Sequence, residues 1–190
     1  TYGKVIRVHT DGSIPDDNPF VGQEGAIDSI WSLGHRNIQS AALRGEGDLW
    51  IVEHGPQGGD ELNNPEPGGN YGWPVVSYGE NYDGTPVGSG EAAHEPRGFI
   101  EPRYYWDPVI APSGMVFYDG ELFPWAGDVL IGSMVPGALV RLEMEGDTVT
   151  GEERLLENQG RIRDVVQGTD GSLLVLIDSD AGAVLRLTPK

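Results

Sequence analysis

Residues 127–142 read Gly-Asp-Val-Leu-Ile-Gly-Ser-Met-Val-Pro-Gly-Ala-Leu-Val-Arg-Leu, two short apolar runs each led by a glycine. The pattern returns at 171–187, where Gly171-Ser172-Leu173-Leu174-Val175-Leu176 precedes Gly182-Ala183-Val184-Leu185-Arg186-Leu187. The first motif recurs after 44 residues and the second after 45. Earlier copies stand at Gly47-Asp48-Leu49-Trp50-Ile51-Val52 and at Gly3-Lys4-Val5-Ile6-Arg7-Val8, the latter 134 residues before Gly137 and so close to three periods away. Short β-favouring runs bounded by Gly and Asp read as strands. A four-stranded unit recurring every ~40–50 residues is the signature of a β-propeller blade. The alternative is an all-β sandwich with Gly-led strands, but a sandwich gives two separate motifs no reason to share one period. The expected fold class is therefore all-β, a β-propeller.

Composition agrees. The chain has 190 residues with 29 Gly and 14 Pro, a breaker every four or five positions. A stable helix needs roughly ten uninterrupted residues, so the composition argues against a helical bundle. A hydrophobic share of 38% suffices for one globular core. No stretch approaches the ~20 apolar residues of a membrane-spanning helix. Thirty acidic against 12 basic side chains give a net charge of −18, spread along the chain. That balance argues against binding a nucleic-acid backbone. With no Cys, disulfide scaffolds and thiolate metal sites are excluded.

At this period the chain holds about four blades at most, and fewer if the turn-rich stretch between Gly55 and Pro108 is an insertion. The first motif reads as the last strand of a blade whose earlier strands are absent. An open fan of blades leaves unpaired edges, which associate. Residues 1–190 thus read as a single partial propeller domain, completed by missing blades of a longer chain or by a second copy.

The segment 53–84, EHGPQGGDELNNPEPGGNYGWPVVSYGENYDG, is crowded with Gly, Pro and acidic residues. Its aromatics Tyr71, Trp73, Tyr78 and Tyr82 argue for order, and order in such a loop needs something to pin it. Carboxylates and turn-exposed carbonyls are hard oxygen ligands that suit Ca²⁺. The plain alternative is a surface loop with solvated acids. EF-hand spacing is absent. In Gly160-Arg161-Ile162-Arg163-Asp164 the two arginines alternate on one side of a strand. They either grip an anionic ligand or pair with nearby carboxylates. Arg36 and Asn37 follow the Gly34 turn in a similar way. His35 reads as structural, and His9, His54 and His94 share no metal spacing. Neither G-x-S-x-G, HExxH nor a P-loop occurs.

In combination, the segments GHRN, EHGPQGGDELN, GGNYGWP, IAPSGMVFY and GRIRDV resemble, in this order, the soluble quinoprotein sugar dehydrogenases. Within them the chain is most similar to the aldose sugar dehydrogenase branch of the glucose/sorbosone dehydrogenase family. The resemblance runs from about Gly3 to Pro189 and implies a six-bladed propeller, of which this chain is roughly the C-terminal half. It implies oxidation of aldose sugars at the anomeric carbon, with pyrroloquinoline quinone (PQQ) and calcium as cofactors. By resemblance, Gly55 and Pro56 present carbonyls to the cofactor's Ca²⁺. Glu61 and the Tyr71 carbonyl bind a separate structural Ca²⁺ in the 53–84 insertion. Arg36, Asn37, Tyr82, Arg161 and Arg163 contact the cofactor. The Lys that family members often carry after the stretch matching Ile131–Met134 is replaced here by Val135-Pro136. The family's catalytic His falls in the half this chain lacks, and neither His35 nor His54 occupies its position. The resemblance further implies a sugar substrate, an electron acceptor of unspecified kind, and a periplasmic or secreted location. The same scaffold also occurs as a calcium-stabilised binding module without enzymatic activity, which is the competing expectation. A propeller lactonase is a third, weakened by the lack of a visible central set of Asp, Asn and Glu.

Overall fold

The computed structural model describes residues 2–190. Its regular structure is almost entirely strand. One four-stranded antiparallel sheet runs β3 (Ile38–Arg44), β4 (Asp48–Glu53), β5 (Asp60–Asn63) and β6 (Tyr104–Trp106), in that spatial order. The next runs β7 (Pro112–Phe117), β8 (Val129–Ser133), β9 (Ala138–Glu145) and β10 (Thr148–Leu155), again in chain order. A third holds β11 (Arg161–Gln167), β12 (Leu173–Asp178) and β13 (Ala183–Leu187), and a two-stranded sheet pairs β1 (Lys4–Ile6) with β2 (Ile30–Leu33). The first strands β3, β7 and β11 pack against one another from sheet to sheet. Meandering sheets radiating from a shared row of first strands are propeller blades.

The repeats fall where a propeller requires. Residues 47–52, 127–132 and 171–176 supply the second strands β4, β8 and β12, and residues 137–142 and 182–187 the third strands β9 and β13. The earliest copy, β1, departs from the sequence expectation. It is not the last strand of its blade, because β2 follows and pairs outside it, Lys4 opposite Leu33. It therefore takes the third-strand position.

Blades are glued face to face by strict alternation. Along β8, Val129 and Ile131 join Trp50, Val52, Leu62 and Trp106 of the preceding blade. Leu130 between them joins Ile162, Val165, Leu173 and Val175 of the following one. A strand covered on both faces has no polar side, which explains the unbroken apolar run at 129–131. Each such buried side chain contributes about 1.5–3 kcal/mol.

The insertion is anchored at many points. Strand β5 lies inside the 53–84 segment, and the excursion proper occupies residues 64–103, between β5 and β6. Asn70 bridges to Leu33, and Ile100 N–H donates to the Asn70 carbonyl at 2.9 Å. The buried Tyr71 hydroxyl donates to the Asn64 carbonyl at 2.6 Å and accepts from Glu66 N–H at 3.0 Å.

Candidate functional site

Cross-strand register fixes which loops share an end of the molecule. Ile38 stands opposite Glu53, Pro112 opposite Ser133, and Arg161 opposite Asp178. The residues before each first strand therefore lie beside the turns that join second strands to third. Arg36 and Asn37, Ala111, Gly160 and the turns 54–59, 134–137 and 179–182 all border this one end. Contacts tie them together. His54 Nε2 donates to the Pro112 carbonyl at 2.7 Å, and Ser113 Oγ donates to the Ile162 carbonyl at 2.7 Å.

Two cationic groups stand on this end. Arg36 donates from Nη1 to the His54 carbonyl at 3.0 Å and from Nη2 to the Tyr82 hydroxyl at 3.5 Å, and its guanidinium lies 5.2 Å from the Trp73 ring. Its backbone N–H donates to Glu53 Oε2 at 2.6 Å. Asn37 is exposed, and its carbonyl accepts from His54 N–H at 3.0 Å. Tyr82 is 76% exposed, at the rim. Arg161 and Arg163 flank the buried Ile162 and project from the same side of β11. Both reach Asp178, Arg161 at 3.3 Å and Arg163 at 2.6 Å, so one carboxylate serves both guanidiniums. The bonds from Arg163 first, then Arg161, hold the Asp178 carboxyl below its ordinary range. Arg161 also lies 3.4 Å from Met134 Sδ.

Beneath Arg36 lies a buried polar network. His35 Nδ1 donates to Glu53 Oε1 at 2.9 Å, its Nε2 lies 2.8 Å from Ser32 Oγ, and its ring stacks on Tyr71. This is the structural role expected for His35. Asn63 Nδ2 donates to both Glu53 Oε1 and Glu61 Oε2. A cavity of about 10 Å³, the size of one small ion or water, is bordered by Gly55, Glu61, Tyr71 and His94. Burial, then the neighbouring Glu53 charge, push the Glu61 carboxyl up to about 8. Burial lowers His94, whose Nε2 lies 3.5 Å from Glu61. Buried Asn63 Oδ1 has no hydrogen-bond partner among the described residues. A buried acid held from ionising beside an orphaned carbonyl oxygen is an environment a cation would relieve. Among the described residues no three His, Asp or Glu side chains converge as a ready metal cluster, so a cation here would have to draw most of its ligands from carbonyls.

Asp60 does something the sequence did not disclose. Its two oxygens accept from the N–H groups of Gly55, Ile110 and Ala111, each at 2.8 Å. It locks the Gly55-Pro56 turn to the start of the next blade rather than facing an ion. A Cβ on Gly55 would lie 2.1 Å from the Gly58 carbonyl oxygen, so the turn closes only around glycine. Glu53, Asn63 and His94 were also missed as site residues. They meet Glu61 only through strand pairing and the return of a long loop, and no local motif signals that.

The fold and this end of it define a class: a propeller segment that carries paired arginines and a tight Gly-Pro turn at one end. Residues 1–186 match the Glucose / Sorbosone dehydrogenase family, and the chain belongs to it. It is 43% identical over 193 residues to the aldose sugar dehydrogenase YliI of Escherichia coli strain K12, covering 99% of this chain and 51% of that protein. A crystal structure of a glucose dehydrogenase superposes with a TM-score of 0.94 at 47% identity, covering 99% of this chain and 55% of the other. The PQQ-bound aldose sugar dehydrogenase of Streptomyces coelicolor superposes with a TM-score of 0.72 at 28% identity, covering 97% and 50%. The chain thus spans about half the length of the relatives it matches.

Proposed function

We propose that this chain is the calcium- and cofactor-binding part of a quinoprotein that oxidises aldose sugars at the anomeric carbon. One observation carries the reading. Arg36, Asn37, Arg161, Arg163 and the Gly55-Pro56 turn, separated by up to 127 residues, border one end of the propeller. PQQ is a polycarboxylate, and guanidinium groups are its natural counterions. Bound PQQ would supply a two-electron acceptor, and a bound Ca²⁺ would supply a Lewis acid beside it.

The chain's own residues have defined tasks. Arg161 and Arg163 bind carboxylates in place of Asp178, while Asn37 and Tyr82 line the rim. Arg36 is held by the His54 carbonyl and Trp73, so its charge is fixed before any ligand arrives. Gly55 and Pro56 offer carbonyls from a turn that Asp60 keeps closed. Glu61, Asn63 Oδ1 and the Tyr71 carbonyl form a second, structural calcium site, supported by the small cavity and the orphaned oxygen. The base that takes the sugar's hydroxyl proton comes from outside these residues, since His35 and His54 are both committed to hydrogen bonds. Blades supplied by a longer chain or a second copy complete the ring, and the location is periplasmic or secreted.

A calcium-stabilised binding module without turnover is the second reading. It is favoured by Val135-Pro136 in the turn before Gly137, where no Lys stands, and by Asp178 already occupying both arginines. Titration with PQQ in calcium buffer, followed by the quinone's absorbance, separates the two. The first reading expects saturable binding that Arg161→Ala and Arg163→Ala each weaken about tenfold or more. Calcium binding without PQQ binding would establish the second. Sugar oxidation itself is assayed on the protein with its remaining blades.

A further inference from the structure

The dipeptide Asp-Gly occurs four times, at 11–12, 83–84, 119–120 and 170–171. It is an inherent weak point of a peptide chain, because a glycine nitrogen, shielded by no Cβ, can attack the preceding aspartate carboxyl. All four aspartates are exposed, so exposure does not tell them apart. Hydrogen bonding does. Gly12 N–H donates to the His9 carbonyl at 2.9 Å, Gly84 N–H to the Asn81 carbonyl at 2.8 Å and Gly171 N–H to the Gly168 carbonyl at 2.9 Å. In the same three turns the residue after the glycine fastens the acid. Ser13 N–H and hydroxyl donate to Asp11 Oδ1 at 2.9 and 2.6 Å. Thr85 does the same to Asp83 Oδ1 at 3.0 and 2.6 Å, and Ser172 to Asp170 Oδ1 at 3.1 and 2.6 Å. The hydroxyl bonds first of all hold these three carboxyls below the ordinary carboxylate range. At Asp119-Gly120 both fastenings are missing. Gly120 N–H meets no backbone acceptor among the described residues, and no group of Glu121 reaches the Asp119 carboxylate. Asp119 is held from the neighbouring blade instead. Its N–H donates to Gln167 Oε1 at 2.9 Å, and its Oδ1 accepts from Gln167 Nε2 at 2.5 Å.

We propose that Asp119-Gly120 is a site of spontaneous covalent modification, where the chain isomerises to isoaspartate and undoes a clamp between two blades. The Gly120 nitrogen bonds to Asp119 Cγ, one Cγ–O bond breaks, and that oxygen leaves as water with the amide proton and the acid's own. Water then opens the cyclic imide at the Asp119 Cα-carbonyl. The chain now runs through Cβ and Cγ, and the former main-chain carbonyl becomes a free carboxylate. One water leaves and one returns, so the only co-reactant is solvent. The inserted methylene has nowhere to go. A Cβ on Gly120 would already lie 2.6 Å from the Tyr118 hydroxyl and 3.1 Å from Gly171 Cα. That hydroxyl donates to the Gly171 carbonyl at 2.8 Å and accepts from the N–H groups of Leu122 and Phe123, each at 3.1 Å. A lengthened backbone at 119–120 must therefore pull away from Gln167 on β11 and loosen the loop that joins β7 to β8, at the end opposite the candidate site. The inference is independent of the sugar-oxidising reading.

The test is incubation of the full chain in mildly acidic buffer, followed by peptide mapping with a protease that cuts before aspartate and not before isoaspartate. Isoaspartate should build up at Asp119 about tenfold faster than at Asp11, Asp83 or Asp170, the factor expected when the other three must first break a turn hydrogen bond. In urea, with the turns gone, all four should react at similar rates. Thr85→Val removes the hydroxyl on Asp83 and should raise the rate there while leaving Asp119 unchanged. Equal rates at the four sites in the folded chain, a faster rate at one of the other three, or a lead for Asp119 that persists in urea would overturn the proposal. The isomerised form, separated by ion exchange, should show faster amide hydrogen exchange at Leu122 and Phe123 than the parent chain. Unchanged protection of those two amides would overturn the release of the clamp.

Discussion

Two neighbouring acids, Asp60 and Glu61, show how little a side chain's type says about its work. Asp60 is satisfied by three amides from two blades. Asp60→Ala strands those buried N–H groups and should cost at least about 3 kcal/mol, read as a lower denaturation midpoint at unchanged slope. Glu61, one residue on, titrates near 8 in the fold against an ordinary 4.5, because burial and then Glu53 oppose its ionisation. Between those two values the folded chain binds the proton more tightly than the unfolded chain. Stability in chelator should therefore fall as pH rises from about 4.5 to about 8, by on the order of a few kcal/mol. Glu61→Gln should flatten the slope, and added Ca²⁺ should restore stability more at pH 8 than at pH 5, since it binds the ionised form. Denaturant melts in chelator and in calcium at both pH values check this. An undiminished slope in Glu61→Gln would assign the titration to another group.

Strands carried most of what the sequence made legible. The Gly-led motifs announced β4, β8, β9, β12 and β13 because a glycine turn precedes a β-favouring run at each; of these, β8 is buried along its whole length, whereas β13 is largely exposed. β1 was found by the same motif but misplaced within its blade, since its motif does not reveal that β2 follows at the far side of a long turn. The pairing of Arg161 with Arg163 was legible from strand alternation, while their shared partner Asp178 comes from the opposite strand and was not. The fastening of one blade to the next by polar groups was also invisible. Glu152 Oε2 of β10 accepts from the Tyr104 hydroxyl at 2.9 Å and the Trp106 indole at 3.0 Å, both on β6 of the preceding blade. Partners 46 and 48 residues apart leave no local trace. Glu152→Ala should destabilise the chain by about 2 kcal/mol, while Glu145→Ala, at an exposed position near the tip of β9, should stay within about 0.5 kcal/mol. Equal effects of the two in urea melts would mean that apolar contact alone joins these blades.

At the scale of the whole molecule, the unequal sheets matter most. β1 has a partner on one side only, and β13 ends its sheet as an unpaired edge. These strands carry exposed apolar side chains, Ile6 at 49% and Val184 at 65%. Unpaired edges with apolar side chains favour association. The net charge of −18 opposes it, because every copy repels every other. Salt screens that repulsion over about 10 Å at 0.1 M and leaves edge pairing largely untouched. The 20.5 kDa chain should therefore gain mass by light scattering as NaCl is raised, the reverse of an assembly held by opposite charges. Val184→Lys places a charge on the β13 edge and should shift the mass back toward the monomer at every salt concentration. A monomer throughout would mean that these edges do not pair between copies, consistent with the shortness of β1, three residues. A salt-driven assembly that Val184→Lys leaves intact would place the contact at β1, where Ile6→Lys is the corresponding change.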